Sequence, residues 1–168
     1  MAGEIDRLVR RTGATRLILA GDEVAIPLLR NALPRHVADL AHDEVLRIDI
    51  RATPDAVRGE IDPLLAALEA DDAGAIADRL VGEIRADGLG VAGLRETRTA
   101  LAQGQVATLL LDPAAALSDE DRGDLVRLAA LTSGEVEIVE GHEAFAQVGG
   151  VGALLRYRID WSPRAEVG

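Results

Sequence analysis

Apolar and polar positions in the first third of the chain predict two strands with a helix between them. The run Arg16–Gly21 is apolar and ends at a glycine, which is typical of a short strand, and Asp22 follows it as a helix N-cap. Positions Val45–Ile50 alternate between apolar and charged side chains, which predicts a strand with one buried face. Because two strands seldom form a stable sheet alone, residues 1–53 predict one half of a domain. The helix between the strands is predicted from apolar residues at helical spacing: Ala25, Leu28, Leu29, Ala32 and Leu33.

Two helices are predicted next. Thr53 and Pro54 form a good helix start, a capping residue followed by a first-turn proline. Pro63 is expected to bend or break this first helix, and the acidic stretch Asp71–Gly74 is expected to separate it from a second helix that ends before Gly88. We place the domain boundary in this region, with domains at residues 1–72 and 73–168. The apolar stripe of the first helix comprises Val57, Ile61, Leu64, Leu65 and Leu68.

From Gly93 onward, helices and strands alternate. The pattern predicts a helix to about Gln103, a strand at Val106–Leu111, a helix opened by Ser118 with Asp121 in its first turn, and a strand at Glu135–Val139. This order predicts an α/β fold in which helices pack on a sheet as a small layer sandwich. The last segment predicts a strand with Leu155, Tyr157, Ile159 and Trp161 on one face and Arg156, Arg158 and Asp160 on the other.

Charge and composition narrow the classes of partner. The net charge is −11 and is uneven, since Met1–Thr53 carries 8 arginines against 8 acids whereas Pro54–Gly168 carries 10 against 21. Such an acidic surface repels phosphate backbones, which argues against broad, sequence-independent nucleic-acid binding. The chain has no cysteine, and Met1–Arg11 lacks the apolar core of a signal peptide. We therefore expect a cytoplasmic protein without a membrane role.

No spacing of polar residues predicts a catalytic centre, a metal site or a cofactor. A catalytic metal needs about three converging ligands, and no serine lies in a Gly-x-Ser-x-Gly elbow. Gly149–Gly152 resembles a phosphate loop in composition, but such a loop opens a helix, and here a strand follows. Close backbone packing at the strand entrance is the expected role of these glycines. The histidines without zinc-like spacing are His36, His42 and His142.

Gly149–Trp161 reads GGVGALLRYRIDW. This segment closely resembles the end of the C-terminal domain of the archaeo-eukaryotic class-1 release factors and Pelota-like proteins, which run Gly-Gly-Ile-Gly-x-Ile-Leu-Arg-Tyr. The stretch LILAGDEVAIPLLRNALP, followed by VLRIDI, more weakly resembles the closing β-α-β unit of that family's central domain. An upstream match to the C-terminal domain comprises Gly90-Val91, Glu96-Thr97, Ala100-Leu101, Gly104, Val106 and Leu109-Leu110.

The resemblance implies a three-layer α/β/α C-terminal domain related to kink-turn-binding ribosomal proteins. It implies that this domain follows part of a ribonuclease-H-like central domain, which would occupy residues 1–72 together with a linker helix. It also implies a role in translation, in ribosome rescue or hibernation, with the C-terminal domain docking a translational GTPase or the ribosome. The partner-binding residues implied by the motif are Gly150, Gly152, Leu155, Arg156 and Tyr157.

Departures from the family pattern limit which functions the resemblance implies. No Gly-Gly-Gln tripeptide occurs in the chain, so peptide release is not expected and an enzymatic role is disfavoured. The codon-reading domain and the first half of the central domain have no counterpart, which predicts a fragment of a longer protein. If the chain is instead full length, the exposed edges at Arg16–Gly21 and Val45–Ile50 predict dimerisation.

Two other functions remain open. Kink-turn-binding relatives contact RNA through a Gly-x-Asn-Glu helix start, of which this chain keeps Gly93 and Glu96 with Arg95 in place of the asparagine. A ribonuclease would need several carboxylates converging on metal, and Asp22 and Asp49 are too few. The RNA-binding alternative therefore predicts a site at Gly93, Arg95 and Glu96.

Overall fold

The computed structural model describes residues 2–43, 45–49 and 51–158, and the chain forms two compact units, Met1–Ala66 and Ala67–Gly168. The first unit contains helix α1 (Ala2–Thr12), strand β1 (Ala20–Gly21), helices α2 (Ala25–Ala32) and α3 (Arg35–Ala38), and strand β2 (Leu46–Arg47). It ends in the first part of helix α4 (Pro54–Arg85).

The predicted β-α-β order in the first unit is confirmed, because β1 and β2 pair in parallel with Ala20 opposite Leu46. Both strands are shorter than predicted, since the extended run before Gly21 changes partner along its length. Leu17 exchanges backbone hydrogen bonds with Leu40 and His42, whereas Leu19 accepts from the amide of Leu46. The core of this unit consists of Leu19, Ile26, Leu33 and Val37, against which apolar side chains of α1 pack.

The predicted break in the middle of the chain is wrong, because α4 is one helix of 32 residues with Pro63 inside it. Proline has no N–H to donate to the carbonyl of the residue four positions earlier, here Gly59. Both residues are exposed and Gly59 has no side chain, so water can reach and bind the carbonyl of Gly59. The acidic stretch Asp71–Gly74 also stays helical, since one helical glycine costs only about 1 kcal/mol relative to alanine.

The second unit is built around a four-stranded sheet with the order β3-β6-β4-β5. Its strands are β3 (Gly90–Ala92), β4 (Val106–Leu111), β5 (Glu135–Ile138) and β6 (Val151–Leu155). Its helices after α4 are α5 (Leu94–Ala102), α6 (Asp119–Leu131) and α7 (Glu143–Gln147). Strand β6 runs antiparallel to β3 and β4, whereas β4 and β5 are parallel. The predicted mixed α/β fold is thereby confirmed.

Helices pack against both faces of this sheet. Leu109 and Leu111 of β4 join a core with Leu101 of α5 and Leu125 of α6. Leu110 points to the opposite face and packs in a second core with residues of α4 and α7, which include Leu80 and Phe145. Alternation along β4 therefore places neighbouring leucines in separate cores, as the two-residue period of a strand requires. Among the described residues, no helix has an apolar stretch of the length that a bilayer crossing needs.

The prediction of a final strand with one exposed face is wrong. Strand β6 comprises Val151–Leu155, and all five residues are buried, because β6 lies between two other strands and beneath helices on both faces. Arg156, Tyr157 and Arg158 follow the strand and are exposed. The remainder of the predicted strand, Ile159–Trp161, lies outside the described residues, as does Ile50 of the earlier predicted strand.

Candidate functional site

The two glycines of the predicted docking motif make room for neighbouring elements. Gly150 has a φ of +65°, and a Cβ on it would lie 3.0 Å from the Cβ atoms of Ala115 and Asp112. A Cβ on Gly152 would lie 2.7 Å from the carbonyl oxygen of Val91 in β3 and 2.9 Å from a methyl group of Leu80 in α4. Both glycines are buried, and their close packing against these neighbours shapes the strand. The structure gives them the close-packing role that the sequence predicts.

Arg156 fixes the turn between α6 and β5. Its backbone amide donates to the carbonyl oxygen of Gln105 at 2.8 Å. Its guanidinium donates to the carbonyl oxygens of Thr132 at 3.2 Å and Ser133 at 2.5 Å. These carbonyls lie at the C-terminal end of α6, where a cation is favoured by the helix dipole. Although the residue is exposed, its side chain therefore already has a structural role.

Tyr157 lies between two arginines whose side chains are held in place. Whereas Phe145, the other phenylalanine or tyrosine of the chain, is fully buried, Tyr157 is 48% exposed. Its backbone oxygen accepts a 3.4 Å hydrogen bond from the side-chain amide of Gln105. On the other side, Arg158 donates to the backbone oxygen of Asp87 at 2.7 Å and to its carboxylate at 2.9 Å. Tyr157 is thus presented to solvent from a backbone that is anchored on both sides.

A groove of about 840 Å³ lies between the end of β6 and the first turn of α5. Leu155 of β6 and the following Arg158 line it on one side, and Arg95 and Glu96 line it on the other. Among the candidate docking residues only Leu155 belongs to this lining, whereas Arg156 and Tyr157 do not. The other lining residues are Val91, Thr99, Ala100, Gln103 and Gln105.

Arg95 forms an ion pair with the neighbouring Glu96 beside the groove. Its Nη2 and Nε lie 2.7 Å and 3.1 Å from Oε1 of Glu96. The hydrogen bond from Arg95 lowers the pKa of Glu96 below its ordinary value, and the same bond raises the pKa of Arg95. Gly93 precedes the helix at a φ of +91°, and its carbonyl oxygen accepts from the amide of Thr97. A phosphate approaching Arg95 would therefore meet a carboxylate beside the guanidinium.

Asp22 and Asp49 both line a second cavity of about 910 Å³, in the first unit beside β1 and β2. The Asp22 carboxylate accepts from the amides of Val24 at 2.9 Å and Ala25 at 2.7 Å, so it holds the turn that leads into α2, whose N-cap position is Val24 and not Asp22 as predicted. Asp49 accepts from the amide of Arg51 at 2.8 Å. Each carboxylate thus holds a local turn. Across the described ranges, no three histidine, aspartate or glutamate side chains converge as a metal site would require.

Two histidine contacts were not predicted from the sequence. His142 accepts a hydrogen bond through Nδ1 from the amide of Phe145, which makes it the N-cap of α7, and its Nε2 lies 3.2 Å from Asp78 Oδ1. His36 Nε2 lies 2.6 Å from Oδ1 of Asp6 in α1. Histidine is not a standard N-cap, so this role at position 142 is not predictable from the residue type.

Comparisons with known proteins show which family the sequence matches. The family described as "Bacterial archaeo-eukaryotic release factor family 2" has a sequence model that matches residues 1–87. A curated relative, the protein pelota homolog of Methanothrix thermoacetophila, is 35% identical over 107 residues, which is 61% of this chain and 30% of that protein. The chain thus spans less than a third of that relative.

Solved structures of similar fold include Pelota and a yeast protein. The archaeal Pelota chain from a model of ribosome-bound Pelota and ABCE1 gives a TM-score of 0.72 at 24% identity, with 94% of this chain and 48% of that chain covered. Dom34 of S. cerevisiae gives a TM-score of 0.63 at 14% identity, with 95% and 52% covered. The C-terminal domain of a peptide chain release factor from Methanosarcina mazei gives 0.53 at 16% identity, with 65% and 98% covered.

Proposed function

The chain belongs to the bacterial archaeo-eukaryotic release factor family 2, and from that premise we propose that it acts in translation as a non-enzymatic docking module. It would act in the cytoplasm, in the rescue of stalled ribosomes. The second unit would dock a translational GTPase through the exposed residues that follow β6. In the domain terms of the family, residues 73–168 would be the C-terminal domain, and residues 1–72 would be the end of a ribonuclease-H-like central domain with its linker helix.

The observation that carries this proposal is the presentation of Arg156 and Tyr157. Both residues are exposed, and both follow directly from a fully buried central strand. The Arg156 guanidinium is held by two carbonyl oxygens, and the Tyr157 backbone is held by Gln105. Arginine and tyrosine are enriched among residues that dominate interface energies, and a pre-organised side chain loses less entropy on binding. This pair would therefore form the contact surface.

Of the five residues implied by the family motif, three would act indirectly. Gly150, Gly152 and Leu155 are buried in the chain. They would keep the strand in the register that places Arg156 and Tyr157 at its end. The proposed contact surface consequently contains only the last two residues of the motif.

Relatives support a translational setting. One similar structure is a model of ribosome-bound archaeal Pelota and ABCE1. Another is yeast Dom34, a translation termination-like factor involved in RNA quality control pathways and interacting with Hbs1. A role in quality control favours ribosome rescue over hibernation. The absence of a Gly-Gly-Gln tripeptide from the sequence favours docking over peptide release.

The proposal is tested by titrating the chain with a GTP-bound translational GTPase of the release-factor class and, separately, with ribosomes. We expect the double variant R156A/Y157A to bind at least about 2 kcal/mol more weakly, roughly a thirtyfold loss of affinity. The single variant Tyr157→Ala should show much of this loss. It leaves intact the hydrogen bonds from Arg156 to the carbonyl oxygens at the C-terminal end of α6.

The matched control is Arg127→Ala, which removes an arginine that is 60% exposed and paired with Asp124 in the same unit. It should leave binding unchanged. Equal affinities for the wild type, R156A/Y157A and the control would refute the docking proposal. Thermal unfolding of each variant separates a lost contact from a lost fold, because Arg156 also holds the turn at Ser133.

A further inference from the structure

Strand β5 leaves one edge of the sheet in the second unit open. It is the last strand in the order β3-β6-β4-β5, and within residues 2–43, 45–49 and 51–158 it pairs only with β4, in parallel. The amide of Val139, directly after β5, donates to the carbonyl oxygen of Leu111 in β4. Since the N–H and C=O groups of successive residues point to opposite sides of a strand, those of Val136 and Ile138 point away from β4.

The two faces of this edge strand differ in chemistry. Val136 pairs with Leu109 and Ile138 pairs with Leu111, so both lie on the face of the sheet that α6 covers. They remain 37% and 50% exposed. We call Val136 and Ile138 the apolar strip. Glu135 and Glu137 alternate with its strand residues and lie on the opposite face.

A second copy of the chain fits this edge poorly. In an antiparallel pair, directly opposite residues lie on the same face of the sheet. The two-fold registers that overlap most of β5 therefore place Glu135 opposite Glu137 of the copy, or Glu137 opposite Glu137. Like charges directly opposite each other are destabilising. The glutamates thus oppose self-pairing, which is a common use of charge on edge strands.

We propose that the β5 edge binds an extended segment of a basic partner protein, in which lysine or arginine alternates with an apolar residue. The segment would add a fifth strand to the sheet through hydrogen bonds to the outward backbone groups of Val136 and Ile138. Its basic side chains would lie opposite Glu135 and Glu137. Its apolar side chains would cover the apolar strip. This surface involves neither Arg156 nor Tyr157, so the inference is independent of the proposed GTPase docking.

Fluorescence anisotropy with the full chain and a labelled peptide of alternating lysine and valine tests this proposal. The double variant E135K/E137K should bind the peptide at least tenfold more weakly than the wild type. The variant E60K/E69K makes the same change in charge at two exposed glutamates of α4, and it should bind as the wild type does. Val136→Pro, which removes an outward-pointing N–H together with one side chain of the apolar strip, should also weaken binding at least tenfold.

Three results would overturn the inference. Equal binding by the wild type, E135K/E137K and E60K/E69K would show that the peptide does not lie along β5. If a peptide with glutamate in place of lysine bound as tightly as the lysine peptide, binding would depend on the apolar strip alone and not on Glu135 and Glu137. Sedimentation that reveals a dimer abolished by Val136→Pro would show that a second copy occupies the edge. Far-ultraviolet circular dichroism verifies that each variant is folded.

Discussion

Gly152 in β6 and Val91 in β3 approach so closely that a Cβ on Gly152 would lie 2.7 Å from the carbonyl oxygen of Val91. A side chain at this position would push apart two paired strands, and it would also meet Leu80 of α4 at 2.9 Å. The central strand of the second unit is therefore restricted to glycine at this point. The proposed docking residues depend on that restriction, because Arg156 and Tyr157 follow Gly152 by four and five positions.

Gly152→Ala should lower the free energy of unfolding by at least about 2 kcal/mol, in the range of overpacked cores. Urea denaturation followed by circular dichroism measures the loss. The control is Gly123→Ala, in α6, where a Cβ would meet nothing within 4 Å. That change should raise stability by up to about 1 kcal/mol, because alanine is the better helix former. A Gly152→Ala protein as stable as the wild type would contradict the packing argument.

His142→Ala should destabilise the second unit by about 1 kcal/mol through loss of the N-cap on α7. The effect follows from the 3.1 Å hydrogen bond between His142 Nδ1 and the amide of Phe145, a residue that is itself fully buried. His142→Asn should retain most of the stability, since asparagine is a good N-cap. Thermal unfolding compares the three proteins. If the alanine and asparagine variants unfold alike, the capping role is excluded.

The free energy of unfolding should fall with decreasing pH, and protonation of Asp121 should contribute to this fall. Hydrogen bonds from Ser118 and then Arg98 lower the pKa of Asp121 below its ordinary value of 3.8. A carboxylate with a lowered pKa in the folded state stabilises the protein above its unfolded pKa, and this contribution is lost as the pH falls through the folded value. The loss should therefore appear below about pH 4.

Asp121→Asn tests this dependence, because asparagine cannot titrate. Unfolding free energies measured from pH 6 down to pH 2 should fall less steeply for the variant than for the wild type. Asp124→Asn serves as the control, since Asp124 lies in the same helix and pairs with Arg127 near the surface. Identical pH profiles for the wild type and Asp121→Asn would show that Asp121 does not contribute to the pH dependence of stability.

Kink-turn RNA should bind weakly or not at all. Arg95, the central residue of that alternative, shares its charge with Glu96 at 2.7 Å, and the chain as a whole carries a net charge of −11. Gel-shift titration at micromolar protein should show no shifted band. Glu96→Gln would free the guanidinium and is the informative variant. A tight, salt-sensitive complex with the wild type would instead favour the RNA-binding function.

Local sequence signals predicted several elements of the second unit closely. Val106–Leu111 is a strand with the predicted bounds, and Ser118 caps α6 by accepting from the amide of Asp121, as the pattern indicates. Such signals act within a few residues of one another. Strand β3 and helix α7 were missed because they are short and carry little periodicity. Helix α1 was missed because its charges masked the spacing of Ile5 and Val9.

Burial on both faces of β6 was not predictable from the alternation of Leu155, Tyr157 and the residues after them. That pattern begins where the strand ends. The neighbours that enclose β6 lie in β3 and β4, which are distant in sequence, and the helices above and below come from other segments. The family motif therefore identified the correct segment, but only coordinates distinguish its buried residues from Arg156 and Tyr157.

The position of β6 bears on how the chain acquires its structure during synthesis. Strands β3 and β4 are not neighbours, and β6 must enter between them although it is made after the other three strands of this described sheet. A nascent chain that has emerged only as far as β5 would hold a sheet with a gap at its centre. Premature termination before Val151 should therefore yield an aggregation-prone product, and co-translational folding of this unit should wait until its central strand has left the exit tunnel.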